Sequence, residues 1–141
     1  MLFLLGFSMT ISSCKKEVDS EFTAEFIYQN ESNGDIEMTL MGEIVENEMV
    51  IQDNIKKYII SPDSNIKFEI VLPTNDKIIE KPTGILKQNN ILGDSVQIKF
   101  GSGKTLMFYQ DKIKNDSIYL ESNYYYSQTG DYSVEYLFKF K

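Results

Sequence analysis

From Phe22 onward the chain alternates. Phe22, Ala24, Phe26 and Tyr28 are interleaved with Thr23, Glu25 and Ile27. A period of two belongs to an extended strand, whose successive side chains leave on opposite faces, so the first set is predicted to face a core and the second water. Ile36, Met38 and Leu40 alternate in the same way with Glu37, Thr39 and Met41, and Asn33-Gly34 stands between the two runs. Asn-Gly between alternating segments predicts a hairpin, because both residues tolerate the positive φ of a tight turn. Farther on, Ile66, Phe68, Ile70 and Leu72 alternate with Lys67, Glu69 and Val71 until Pro73 ends the run. Val96, Ile98 and Phe100 are predicted to face Leu106, Phe108 and Gln110 across Gly101-Ser102-Gly103-Lys104. A last hairpin is predicted about Gly130, built from Ser117 to Tyr126 and Tyr132 to Lys141, with Val134, Tyr136, Phe138 and Phe140 on one face.

The stretches between these runs are read by their punctuation. Met49 to Ile51 and Lys57 to Ile60 read as one strand broken at Asp53-Asn54, and Ser61 to Asn65 as a turn. Ile78-Ile79, a break at Pro82-Thr83-Gly84, Ile85-Leu86 and the polar turn Gln88-Asn89-Asn90 follow. No stretch holds a helical period; Glu43 to Tyr58 comes nearest, and Gly42 and Asp53-Asn54 argue against it. About eight or nine short strands with turn signals roughly every 8 to 12 residues predict an all-β fold, an antiparallel β-sandwich with a small β-barrel as the alternative. Parallel pairing would need helical crossovers, and the pattern supplies none. Residues 21–141 are therefore expected to form a single β domain.

Composition narrows the chemistry. With 42% apolar and 25% charged residues in 141, the chain has the make-up of one globular domain. Asp plus Glu number 21 against 14 basic residues, and the net charge of -7 repels phosphates, so no nucleic-acid partner is expected. The chain has no His, and every basic residue is Lys. Ser/His/Asp and Cys/His catalysis are thereby excluded within the chain, as is the commonest transition-metal ligand. A single Cys cannot close an intramolecular disulfide, so a hydrophobic core must supply the stability.

Local candidates are few. Gly103-Lys104-Thr105 has the ending of a P-loop, but Ile98 stands where that motif needs a glycine and a strand follows where it needs a helix. Asp111, Asn115 and Asp116 flank one turn and Asp63, Ser64 and Asn65 another, without the spacing of a calcium loop, so no metal or cofactor is expected. No two of the acids are singled out as the facing pair of a glycosidase. Tyr124, Tyr125, Tyr126 and Tyr132 crowd the last predicted hairpin, and adjacent strand residues face opposite ways, so at least one should look outward. They form a candidate surface for a glycan or an envelope protein, with ordinary cross-strand packing as the competing account.

The N-terminal residues carry the sharpest signal. Met1 to Ile11 are mostly apolar, too few for the ~20 residues of a membrane-spanning helix and suited to the apolar region of a secretory signal. Ile11-Ser12-Ser13-Cys14 resembles a bacterial lipobox, followed at once by polar Lys15 to Ser20. Asp94-Ser95-Val96 and Asp116-Ser117-Ile118 resemble the O-glycosylation acceptors of Bacteroidota envelope proteins, which makes Ser95 and Ser117 candidate acceptors; the competing account is plain turn chemistry. Together with a vocabulary rich in Asn, Ile, Lys and Tyr, these features resemble a small Bacteroidota-type envelope lipoprotein. The resemblance implies a signal peptide over 1–13, acylation (palmitate) at Cys14, and a lipidated tether over 14–20. It also implies membrane association through N-terminal acyl chains at the outer membrane, facing the periplasm or the surface. The function then expected is a non-catalytic binding or accessory module. An inhibitor or immunity-type lipoprotein with an acidic face is the alternative, and a small hydrolase comes third.

Overall fold

The computed structural model describes residues 21–46, 49–73, 78 and 81–141. The lipobox, Cys14, the tether and Ile79 lie outside the described residues. Eight strands dominate: β1 (Glu21–Asn30), β2 (Ile36–Glu46), β3 (Met49–Ile60), β4 (Asn65–Pro73), β5 (Ser95–Phe100), β6 (Thr105–Tyr109), β7 (Tyr125–Gly130) and β8 (Ser133–Phe140). They form two four-stranded sheets, ordered β4-β1-β8-β7 and β3-β2-β5-β6. Each sheet keeps two edges, so the fold is a sandwich and not the alternative barrel.

The alternating residues meet between the sheets as their period requires. Phe22, Ala24, Phe26 and Tyr28 of β1, Ile36, Met38 and Leu40 of β2, Val96 and Ile98 of β5 and Val134 and Tyr136 of β8 are all buried in one cluster. The predicted β5–β6 hairpin forms, with Val96 opposite Phe108 and Ile98 opposite Leu106. Gln110 falls one residue beyond β6 and donates its Nε2–H to Asn90 Oδ1 instead. Aromatic rings fill the middle: Phe26 stacks on Tyr136 at 4.8 Å between centroids, and Tyr124 meets Phe26 edge-on at 5.7 Å. Such pairs add about 0.5–1.5 kcal/mol beyond the area they bury.

The segment carrying Asn33-Gly34 does not make a hairpin. β1 and β2 lie in different sheets, so the chain crosses the sandwich between them. The cause is Asn30, at the end of β1 and fully buried. Its Nδ2 donates to the carbonyls of Gly34 and Ile60, each at 2.8 Å, and its Oδ1 accepts from Ser32 N at 2.8 Å and Ser32 Oγ at 2.6 Å. Its backbone N–H donates to Ser64 O and its carbonyl accepts from Asp63 N, both at 2.9 Å. One side chain thus curls the β1–β2 crossing and ties it to the β3–β4 crossing.

Four further expectations are corrected. β3 is one continuous strand through Asp53-Asn54, but its ladder with β2 is interrupted there by a bulge, with Gln52 and Asp53 left out of the register between Asn54 opposite Gly42 and Ile51 opposite Ile44. One pairing, β1 with β8, is parallel. It needs no local helical crossover because these strands lie at opposite ends of the sequence, with the other sheet between them in the chain. Residues 117–124 are turns and a 3-10 turn (Glu121–Asn123) rather than strand, pinned by Asn123 Nδ2, which donates to the carbonyls of Asn115 and Ser117 at 2.9 Å. Ile85–Asn89 form a short helix, α1, too short for a periodic signature. The Glu121 carboxylate holds its start, accepting from Gly84 N at 3.0 Å and Leu86 N at 2.7 Å.

Gly42 is placed by necessity. Its φ is +97, and a Cβ there would lie 2.2 Å from Asp94 Oδ2. That carboxylate accepts Glu43 N at 3.2 Å, and Asp94 N donates to Met41 O at 2.8 Å, so the Asp94 loop closes β2 just where pairing with β5 stops. We expect Gly42→Ala to lower unfolding free energy by about 2–3 kcal/mol in urea titration, through positive-φ strain and displacement of Asp94. In the Gly42→Ala, Asp94→Ala double variant the loss should fall short of the sum, because the carboxylate that clashes is gone.

Candidate functional site

Strand parity and register decide what each outer face of the sandwich offers. On the β4-β1-β8-β7 sheet, Glu25 stands opposite Glu69 on one side and Glu135 on the other. Three carboxylates thus cross three adjacent strands in one row, where like charges facing each other are destabilising in isolation. The ion pairs Lys57–Glu37 at 3.5 Å and Lys139–Glu31 at 3.1 Å do not involve that row. No group of three or more His, Cys, Asp or Glu that could hold a metal ion forms among the described residues.

The outer face of the β3-β2-β5-β6 sheet differs in kind. Ile55 is 64% exposed, Ile59 58%, Tyr109 45% and Met107 37%. Their partners on that face are Met41 opposite Ile55, Glu37 opposite Ile59, Gln97 opposite Met107 and Ser95 opposite Tyr109. In the middle, between Lys57 and Gln97, lies Thr39, buried, with an Oγ1 that has no hydrogen-bond partner. Ile55 and Ile59 lie on the edge strand β3 and Met107 and Tyr109 on the opposite edge strand β6, so the face carries two small apolar groups with Glu37, Thr39, Gln97 and Lys99 between them.

Two concavities open beside this sheet. One of about 450 Å³ follows β6, lined by Thr105 to Tyr109 on one side and Lys112, Lys114, Asp116 and Ser117 on the other. The second, of about 400 Å³, lies between α1 and the segment that leaves β6, with Leu86, Ile113, Tyr119 and Leu120 in its lining. Glu121 borders it, but both its carboxylate oxygens are engaged by backbone N–H groups. Tyr119 donates its hydroxyl to Gly93 O at 2.9 Å, and burial pushes its phenol well above its ordinary value. It acts as a donor, not a base.

The tyrosines foreseen as a surface separate. Tyr124 belongs to the core, a correction: its hydroxyl donates to Ile118 O at 2.6 Å and meets Tyr28 Oη at 2.8 Å. Burial raises both phenols far above the usual range; Tyr28 raises Tyr124 further, whereas the hydrogen bond with Tyr124 lowers Tyr28 in part. Tyr125 points outward at 60% exposure with Lys139 Nζ 5.1 Å from its ring centroid. Tyr126 is half-buried beneath Lys81, 5.3 Å from its centroid, and Tyr132 is half-buried. The four do not form one platform.

The candidate glycosylation sites also part. Ser95 opens β5 and is half-buried, whereas Ser117 is 1% exposed and its Oγ accepts Tyr119 N at 3.1 Å. In the folded domain Ser117 is closed to a bulky transferase, so a glycan there would have to precede folding. The preceding Asp94 has its own task at the Gly42 bulge.

What the sequence pattern missed is the Ile55, Ile59, Met107 and Tyr109 face. Its trace is the failed alternation in Ile55-Lys56-Lys57-Tyr58-Ile59-Ile60, where isoleucine occupies both parities. No family model, no curated protein and no solved structure matches this chain.

Proposed function

We propose that this chain is a lipid-anchored, non-catalytic binding or accessory module of the cell envelope, held at the outer membrane by acyl chains on Cys14. The observation that carries the binding half is the exposure of Ile55 and Ile59 on β3 and of Met107 and Tyr109 on β6, at the two edges of one sheet face. A partner surface covering it would remove that area from water at roughly 25 cal/mol per Å². The anchoring half is supported by the lipobox-like Ile11-Ser12-Ser13-Cys14 and by the position of Glu21, where the strand begins directly after the polar tether. More than one acyl chain makes such an anchor stable.

The row of Glu25, Glu69 and Glu135 favours a second reading, an acidic-faced inhibitor or immunity-type lipoprotein that meets a basic partner. The two readings use opposite faces. A photo-crosslinking residue placed at position 59 or at position 69 of the full chain in its native host separates them. We expect discrete adducts from 59 and none from 69, together with palmitate incorporation that Cys14→Ala abolishes. Adducts from 69 alone, weakening as ionic strength rises, would favour the acidic reading. Absence of label from the native chain would remove the anchor.

A further inference from the structure

The edge of β6 has the form of a strand-addition site. In the β5–β6 ladder, Phe100 N donates to Lys104 O at 2.8 Å and Gln110 N to Asp94 O at 3.0 Å. Hydrogen-bonded pairs alternate in an antiparallel ladder, so Ile98 with Leu106 and Val96 with Phe108 exchange the bonds between these two. The main-chain N–H and C=O groups of Thr105 and Met107 therefore point away from β5, toward the side on which β6 has no neighbour in its sheet. Tyr109 has the same orientation, and its carbonyl accepts Lys112 N at 3.3 Å.

The groove of about 450 Å³ lies along this row of open backbone groups. Its near wall carries exposed Thr105 and Met107. Its far wall carries Lys112 and Lys114, both exposed, with Asp116 as the one carboxylate among them. This charge is opposite to that of the domain as a whole, which is -7. A second copy of this acidic chain is thus a poor match, and an extended acidic segment a good one.

We propose that the β6 edge takes an extended peptide segment with acidic side chains from a partner protein, added as a fifth strand beside Thr105 to Tyr109. Main-chain bonds to Thr105 and Met107 supply the binding, and the lysine wall supplies the preference for acids. Lysines beside an edge also discourage pairing between copies, which is consistent with a foreign occupant. This assignment rests on the reading of the domain as a binding module.

The test uses the full chain, isotope-labelled, and a blocked hexapeptide of alternating glutamate and valine, with its lysine-valine counterpart as control. The acidic peptide should slow amide exchange at Thr105 and Met107 and bind at least about tenfold more tightly than the control. Met107→Pro removes one edge donor at a position where proline is tolerated, and should abolish binding. Lys112→Glu with Lys114→Glu leaves the backbone intact and should reverse the peptide preference. Protection centred on another edge, equal affinity for both peptides, protection that grows with protein concentration alone, or protection by anionic lipid vesicles instead of peptide would overturn the assignment. If adducts from position 59 persist while the peptide fails to bind, only the β6 edge is refuted; if both fail, the module reading goes with it.

Discussion

Replacing Asn30 by leucine is expected to lower the unfolding free energy by about 3–5 kcal/mol, among the largest effects of any single substitution in this domain. The amide at this position satisfies two carbonyls, of Gly34 and Ile60, and receives two donors from Ser32, with the bond to Ile60 O fully buried and the others partly so. A side chain of similar volume but no polar atoms leaves those groups buried and unpaired, at about 1–3 kcal/mol for each that cannot find water. The two sheet crossings are joined here, so the loss should appear as a lower urea midpoint with an unchanged slope rather than as local fraying. Asn33→Ala is the control. Asn33 is exposed, and its replacement should stay within about 0.5 kcal/mol. Equal effects at the two positions would show that the crossing is set by the Asn33-Gly34 turn and not by the buried amide.

That contrast marks where the sequence stops being legible. Strand parity was legible because it is local: Phe22, Ala24, Phe26 and Tyr28 share a face whatever β1 pairs with, and they are buried as their period demands. Partnership was not. Asn33-Gly34 states that the chain can turn, and says nothing of which sheet the next strand joins. The decisive acceptor, Ile60 O, lies 30 residues farther along the chain. The same holds for β1 beside β8, a parallel pair between the first and last strands of the domain, about 110 residues apart in the chain. The turn chemistry of Asp53-Asn54 does mark an interruption, a bulge where Gln52 and Asp53 leave the β2 register, while ladder pairs on both sides keep β3 one strand.

Candidate sites failed for a related reason. Three consecutive tyrosines suggested a surface, and parity sent Tyr125 outward as expected. Whether Tyr124 was then core or cleft depended on Tyr28 and on the carbonyl of Ile118. Ser117 matched a short acceptor pattern while its hydroxyl was committed to the backbone of Tyr119. Conversely, nothing in a polar-apolar string distinguishes an isoleucine that faces water from one that faces the core once both parities carry it. Ile55 and Ile59 emerge only when β3 is laid against β2 and its faces are fixed.

The Tyr28–Tyr124 pair gives the second large effect: above about pH 10 these two phenols alone should cost the domain roughly 3 kcal/mol of stability per pH unit, to which Tyr119 and Tyr136, also raised by burial, add. Ile118 O can only accept, so Tyr124 donates to it and receives the Tyr28 hydroxyl in turn. Neither phenol can ionise in place, because burial raises both far above their ordinary value of 10.0. In the unfolded chain they ionise near that value. The unfolded state then binds two fewer protons than the native one, and stability falls as pH rises. Their contribution is full below about pH 10 and is lost progressively above it. The pair's tyrosinate absorbance should therefore appear cooperatively, together with loss of the β-sheet circular dichroism. Tyr28→Phe should remove about half of the pair's share of this alkaline slope at a neutral-pH cost of about 1 kcal/mol, since Tyr124 keeps its acceptor. Tyr124→Phe should flatten the slope equally but cost about 2–3 kcal/mol, because Ile118 O and the Tyr28 hydroxyl are both left buried without a partner. Tyrosinate absorbance that rises smoothly while the sheet remains intact would show that water reaches these phenols, and with that the closed aromatic core between the two sheets would fail.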